Sequence, residues 1–406
     1  MKLGKLLTAA LTSCAIVNAN PVLRRDTNTS VSTSTSNYTM QTATISDAAS
    51  TTDAVLTVSQ GRFGALFKPK VLIINMFFKE ESNWIESMDL KYNISVPMLS
   101  PEYPFVHSNA NYSIMSVTTG EGEINAATTI TALALSPLFD LTETYFLVSG
   151  IAGGTPDLTT IGSVTYPKYA VQVGLQYEID AREIPANWTY GYVNFDTSKD
   201  NMYPGTIYGT EIFELNEGLR NRAMEVASNV TLNNGTVGNV AFRQKYNSSQ
   251  AAYGPPKLVA CDTATSDVYW SGATLEKAFS DFVSTVSNNS ATYCSTQQED
   301  NASLEAILRA AKHGLVDYAR VTIMRSISDF DRAPEGYSAT EFFFTSGLQG
   351  GSKSAFTNLY LAGKPFVEDI IKNWDSMYKT NKFAPKNYIG DYLETLGGVR
   401  NFGLSS

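Results

Sequence analysis

From Lys68 onward, short runs of β-branched and aromatic residues alternate with stretches whose apolar positions recur every three or four residues. Val71 to Met76, Tyr112 to Thr119, Thr144 to Gly150, Pro255 to Cys261 and Arg320 to Ser328 read as strands. After Gly122, the run to Leu135 places Ile124, Ala127, Ile130 and Leu133 on one helical face. After Asp300, Leu304, Ile307, Leu308 and Ala311 repeat that spacing, and Gly314 supplies a stop. A last helix is predicted over much of Ala355 to Tyr378. Strands alternating with helices imply an α/β fold, with a mostly parallel sheet between two helical layers. No internal repeat or second boundary interrupts the pattern, so 67–406 is expected to form one domain.

The region before it is different in kind. The opening MKLGKLLTAALTSCAIVNA sets Lys2 and Lys5 ahead of an apolar run ending in Val17-x-Ala19, which reads as a secretory signal peptide over 1–19. An ordinary N-terminal helix is the alternative. Residues 20–66 are rich in Ser, Thr, Ala and Asn and poor in large apolar side chains, so a disordered or O-glycosylated tail is expected. Arg24-Arg25 within it is either a processing site or a pair of solvated arginines. Beyond residue 19 no segment approaches the ~18 uninterrupted apolar residues of a membrane-spanning helix. The repeated alternation of a membrane barrel is not visible either.

Composition sharpens this. The 406 residues include 30 basic and 39 acidic ones, a formal net charge of -9. That balance argues against nucleic acid and against a polybasic membrane contact. Charged residues make up only 17%, below the usual ~25%. Sequons beginning at Asn28, Asn37, Asn93, Asn111, Asn187, Asn229, Asn234, Asn247, Asn288 and Asn301 offer sugar as the missing surface polarity. A secreted or cell-wall-associated, N-glycosylated protein is the expectation. Cys14 leaves with the signal peptide, and the remaining Cys261 and Cys294 are expected to be bridged in an oxidising compartment, two buried thiols being the alternative. Three cysteines and two histidines do not suggest a zinc cluster. Nothing calls for a metal or an organic cofactor.

Candidate chemistry clusters where strands end, which is where α/β sheets bind ligands. Val71 to Met76 runs into Glu80 and Glu81, either a general base or first-turn helix acids. Thr119 opens TGEGEINAA, where Gly120 begins a turn whose N–H groups suit an anion or hydroxyl, though Glu121 and Glu123 would repel phosphate. In GIAGGTPDL, Gly150, Gly153 and Gly154 permit close backbone approach to a ligand, or simply form a tight turn. DTATSDVYWSG after Cys261 brings Tyr269 and Trp270, suited to stacking on a flat heterocycle or to core packing. Arg320 to Ser328 delivers Asp329, an acid whose pKa burial would raise, or a helix cap.

In this order along 68–400, these segments resemble nucleoside phosphorylases and nucleosidases with the phosphorylase/hydrolase-like fold, and in particular the fungal purine nucleoside permease family. GIAGG and RSISD are the most specific. The resemblance implies a three-layer fold with a central mixed, mostly parallel sheet. It implies cleavage of a purine nucleoside at the N-glycosidic bond. Asp329 then protonates the base at N7, Glu299 in QQEDN holds the ribose hydroxyls next to Gln298 (where the family usually has Met), and Tyr269 stacks on the purine. Glu80 matches the water-activating glutamate of the hydrolytic members, with Glu81 one residue away. The phosphorolytic members hold phosphate with an arginine near the Gly-rich turns; Val71 to Ser82 and Val117 to Ile130 contain none, so water is the expected co-substrate ahead of phosphate. Ile151 replaces the family's small polar residue in the SGxAGG turn, which leaves the base contacts open. Asn301, a sequon inside the sugar motif, is expected to be buried and unmodified. A nucleoside-binding protein that promotes uptake without catalysis is the alternative, and a homo-oligomer is compatible with either.

Overall fold

The computed structural model describes residues 64–404 except 200 and 345–348. The expected signal peptide, nearly all of the expected tail, Cys14, Asn28 and Asn37 lie outside these residues. Among the described residues no helix is long and apolar enough to cross a membrane.

The strand β1 (Val71–Asn75) shows why the molecule is layered. All five of its residues are buried. Leu72 and Ile74 join a core with Ile130, Leu133, Leu304 and Ile307, whereas Val71 and Ile73 join another with Trp84, Leu359, Phe366 and Val367. A strand covered on both faces carries a continuous apolar run, and successive side chains go to opposite layers. The helices α1 (Phe78–Ser87), α2 (Glu123–Leu135), α3 (Glu217–Ala227), α4 (Ala273–Val286), α5 (Asp300–Lys312) and α6 (Ser352–Lys372) supply the covering. The first core draws on α2 and α5, the second on α1, α3 and α6.

Among the described residues the central sheet has 13 strands. Beside β1 lie β4 (Ile114–Thr118) and β5 (Tyr145–Gly154), both parallel to it, with β2 (Tyr92–Ser95) and β3 (Phe105–Ser108) continuing antiparallel to the edge. On the other side run β6 (Tyr169–Gln172), β7 (Ile212–Glu214), β8 (Asp262–Thr265) and β9 (Tyr293–Gln297). The strand β10 (Val321–Phe330) pairs parallel along β5, with a register shift between Ile327 and Asp329. The sheet is therefore mixed, and mostly parallel near its centre, as the resemblance implies.

Four of the five expected strands are found within a few residues of their expected bounds. The fifth is displaced. In Pro255 to Cys261 only the two-residue strand Leu258–Val259 pairs, with Val164–Thr165 at a branch of the sheet, while the strand that lies between β6 and β9 is β8, just after Cys261. Its DTAT sequence is polar yet wholly buried. Thr263 and Thr265 spend their hydroxyls on Ser295 O, Gln297 and Asn301, which removes the cost of burying them. The helix α2 has the expected bounds but a rotated face: Ile124 is exposed and Ala126 and Thr129 are buried instead. A disulfide joins Cys261 to Cys294, tying the start of β8 to β9.

Candidate functional site

The expected strand-end segments converge on one cavity of about 360 Å³, within the usual range for small-molecule sites. Met76 and Phe77 come from beyond β1, Glu121 from the turn before α2, and Ile151 to Gly153 from the end of β5. Ser266 and Val268 to Trp270 follow β8, Thr296 to Glu299 end β9, and Ser328, Asp329 and Asp331 end β10. Gln349 to Ser352, at the start of α6, complete the wall.

Asp329 owes its direction to the register shift in β10. A bulge re-aims the residues beyond it, and here it sets Asp329 opposite Gly153. A Cβ on Gly153 would lie 3.0 Å from Thr296 and 3.7 Å from the Asp329 carboxylate, so glycine leaves the acid its space. Ser328 Oγ donates to Asp329 Oδ1 at 2.5 Å and the Tyr269 hydroxyl donates to Oδ2 at 2.8 Å. Burial raises the Asp329 pKa above its ordinary value, and these two donors partly offset it. The Tyr269 ring meets Phe343 edge-on at 5.7 Å and remains 59% exposed, available to a flat ligand. Trp270 differs: it is 6% exposed and packs against Phe279 and Tyr293, so it belongs to the core while forming part of the cavity edge.

Glu299 stands at the N-cap position of α5, is buried, and spends its carboxylate elsewhere. Its Oε1 accepts from the Gly122 N–H at 3.0 Å and its Oε2 from Arg325 Nη2 at 3.1 Å. Gln298 lines the cavity and donates to the Asp267 carbonyl at 2.8 Å. The glycine turn before α2 does bind an anion, but the anion is the protein's own. Besides Gly122 on Glu299, the Glu123 N–H donates to Asp267 Oδ1 at 2.8 Å. Gly120 and Gly122 have φ of 90° and 88°, in the left-handed region that favours glycine. Gly120 shapes this turn and does not itself line the cavity.

Glu80 and Glu81 part company. Glu81 turns to His107 at 3.1 Å and Thr118 at 2.7 Å, away from the cavity wall. Glu80 is buried and accepts from the Met76 N–H at 2.7 Å and the Ile151 N–H at 2.6 Å. It sits directly behind two residues of the wall and is not itself on it. Burial pushes its pKa up from 4.5 to about 8, against the pull of Arg325. Gly150 also lies behind the wall, where a Cβ would come 2.4 Å from Arg325 Nη1 and 2.7 Å from Met76 Sδ. It serves packing around Arg325 more than ligand contact.

Sequence reading passed over Arg325, the first residue of RSISD. Its guanidinium is buried behind the cavity wall and contacts Asp300, Glu299 and the Ile151 carbonyl. An arginine in an otherwise apolar strand signals a buried ion pair, and Glu299-Asp300 at a helix start are the matching acids. Asp331 was also missed. It lines the cavity, accepts from the Tyr293 hydroxyl at 2.8 Å, and is raised to about 8 by burial, opposed by Arg332. Its position two residues beyond Asp329 was the available signal. Asn301 is buried, with Nδ2 donating to the Thr210 carbonyl at 2.8 Å.

A family model described as purine nucleoside permease (NUP) matches residues 68–382. The chain belongs to the purine nucleoside permease family. It is 50% identical over 416 aligned positions to a purine nucleoside permease of Candida albicans, covering 100% of this chain and 99% of that protein. It is 43% identical over 320 positions to a probable purine nucleoside permease of Schizosaccharomyces pombe, covering 76% of this chain and 91% of that one. Among solved structures, it is similar to a 5′-methylthioadenosine/S-adenosylhomocysteine nucleosidase from Neisseria meningitidis (TM-score 0.45, 13% identity, 74% of this chain and 98% of that chain). It is also similar to a futalosine hydrolase of Helicobacter pylori (TM-score 0.44, 16% identity, 75% and 98%). Every candidate site residue of this purine nucleoside permease family member, from Glu80 to Asp331, falls inside the matched span.

Proposed function

We propose that this protein binds purine nucleosides in the cavity and cleaves their N-glycosidic bond with water, outside the cell, in support of purine uptake. The observation that carries the reading is that Asp329, Tyr269 and Glu299 open on one cavity. Tyr269 stacks on the base, Glu299 takes the ribose hydroxyls, and Asp329, with its raised pKa, supplies a proton to the departing purine. Glu80, behind Met76 and Ile151, is the base that accepts a proton from the attacking water.

Water is favoured over phosphate by two features of the wall. The N–H groups at the start of α2 already hold Glu299 and Asp267, and a phosphate would have to displace them. Among the described residues no Lys, Arg or His lines the cavity, and Arg325 is committed to Glu299 and Asp300. Secretion and glycosylation are supported by the N-terminal sequence, by the disulfide, and by exposure of seven of the eight sequon asparagines among the described residues, Asn301 being the buried one.

The test is incubation of the purified protein with adenosine, guanosine or inosine, with and without phosphate, followed by assay of free base. Release in both conditions is expected. Binding without release would leave a nucleoside-binding protein that promotes uptake, and release only with phosphate would make it a phosphorylase.

A further inference from the structure

A buried charged cluster lies behind the cavity, and one of its members has no part in the chemistry just described. Asp300 is fully buried and is absent from the cavity wall. Its Oδ1 accepts from Arg325 Nη2 at 2.6 Å and from Nε at 3.2 Å, and its Oδ2 lies 3.3 Å from Nε. This is a two-pronged grip on one edge of the guanidinium, the geometry that most restricts an arginine. The remaining N–H groups are thereby directed elsewhere: Nη2 also reaches Glu299 Oε2 at 3.1 Å, and Nη1 donates to the Ile151 carbonyl at 3.1 Å. Glu299 and Ile151 both line the cavity, and the Ile151 N–H holds Glu80. Asp300 is itself held in place, because Gln297 Oε1 accepts from the N–H groups of Glu299 and Asp300, both at 2.8 Å.

We propose that Asp300 is a positioning residue: by gripping the rear edge of Arg325 it aims that side chain, and through it sets Glu299 for the ribose hydroxyls and tunes Glu80. The proposal rests on the nucleoside reading of the cavity and deepens it.

The charge balance gives the mechanism. Arg325 on β10 is faced by Glu80 from α1, Glu299 and Asp300 from α5, the neutral Gln297 from β9 and the Ile151 carbonyl from β5. Glu81 points to His107 and Thr118 and takes no share. Three carboxyl groups share one cation, and burial, with Glu299 nearby, raises Glu80 to about 8 against the pull of Arg325, so the fraction of Glu80 free to accept a proton from water is set by that balance. Replacing Asp300 by Asn keeps the shape but leaves Arg325 with less compensation. Arg325 then bears more strongly on Glu299 and Glu80, and Glu80 releases its proton at lower pH.

The experiment uses the full chain with Asp300→Asn and, as a charge-retaining control, Asp300→Glu. Binding of adenosine and of 2′,3′-dideoxyadenosine is measured by calorimetry across the pH range of the Glu80 titration. In Asp300→Asn the preference for adenosine falls by about tenfold, the size of a typical coupling between contacting groups. The pH midpoint of adenosine binding or cleavage moves down, while Asp300→Glu retains the midpoint. A folded Asp300→Asn protein with unchanged preference and unchanged midpoint overturns the proposal. If Asp300→Asn fails to fold, Asp300→Glu decides, since its longer side chain displaces the guanidinium: reduced ribose preference supports the role and full preference overturns it. Wild-type protein that binds adenosine without cleaving it removes only the catalytic reading, and the binding comparison still decides. Wild-type protein that binds no nucleoside removes both.

Discussion

Asp329 shows how much a single position can carry. It follows a register shift in β10, faces a glycine, and receives two hydroxyl donors. Changing it to Asn removes the transferable proton while keeping the shape and the contacts with Ser328 and Tyr269. Base release should fall by about 10²- to 10⁴-fold, with nucleoside affinity little changed; parallel rate and binding measurements check this, and an unchanged rate would remove the acid role. Asp329 was legible in the sequence because it ends a recognisable strand, and Glu299 and Tyr269 were legible only through the resemblance of the segments that carry them. Arg325 was not, because an arginine in an apolar strand signals a buried ion pair without naming its partners, and these, Asp300 and Glu299, stand 25 and 26 residues away in sequence. The choice between Glu80 and Glu81 was equally closed to sequence, since both are buried and adjacent and only the direction of each side chain separates them.

At the scale of elements, the apolar strands and the periodic helices were legible, and β8 was not. Its DTAT reads as a loop, and it becomes a strand because neighbouring strands and α5 supply every partner its hydroxyls need. The segments beyond β8 and β9 carry Tyr269 and Glu299, so the pairing of these strands holds two sides of the site together. The Cys261–Cys294 bridge ties them at their other end across a separation of 33 residues. Closing a loop of that length is worth about 3–4 kcal/mol in the chain-entropy account. Replacing both cysteines with alanine should therefore lower unfolding stability by about that amount, read from denaturant titration of the oxidised wild type and the double variant. Equal midpoints would show that the surrounding strands hold without the bridge.

The whole molecule carries a net charge of -9, and nine of its 39 acidic residues are buried among the described residues. Glu80 and Asp331 are raised to about 8 and Glu123 to about 7, each chiefly by burial. The folded chain therefore keeps protons that the unfolded chain has released above its ordinary carboxyl values. Stability conferred by these groups is complete at or below those values and is lost as pH rises toward 8, at roughly 1.4 kcal/mol per proton per pH unit. Asp140, Asp157 and Asp369, lowered with the help of Lys68, Arg332 and Arg222, act in the opposite sense only below the ordinary aspartate value of 3.8. Urea midpoints should therefore decline from about pH 5 to about pH 8, and Glu80→Gln should flatten that decline. A midpoint that rises over the same interval would contradict this picture of the buried carboxyls. The central claim is that water attacks the nucleoside in a cavity whose N–H groups and arginine are already taken by the protein's own acids. The most direct measurement is the identity of the sugar released from adenosine in phosphate buffer, followed by ³¹P NMR. Free ribose with no new phosphorus signal is the predicted result, and ribose 1-phosphate would contradict it.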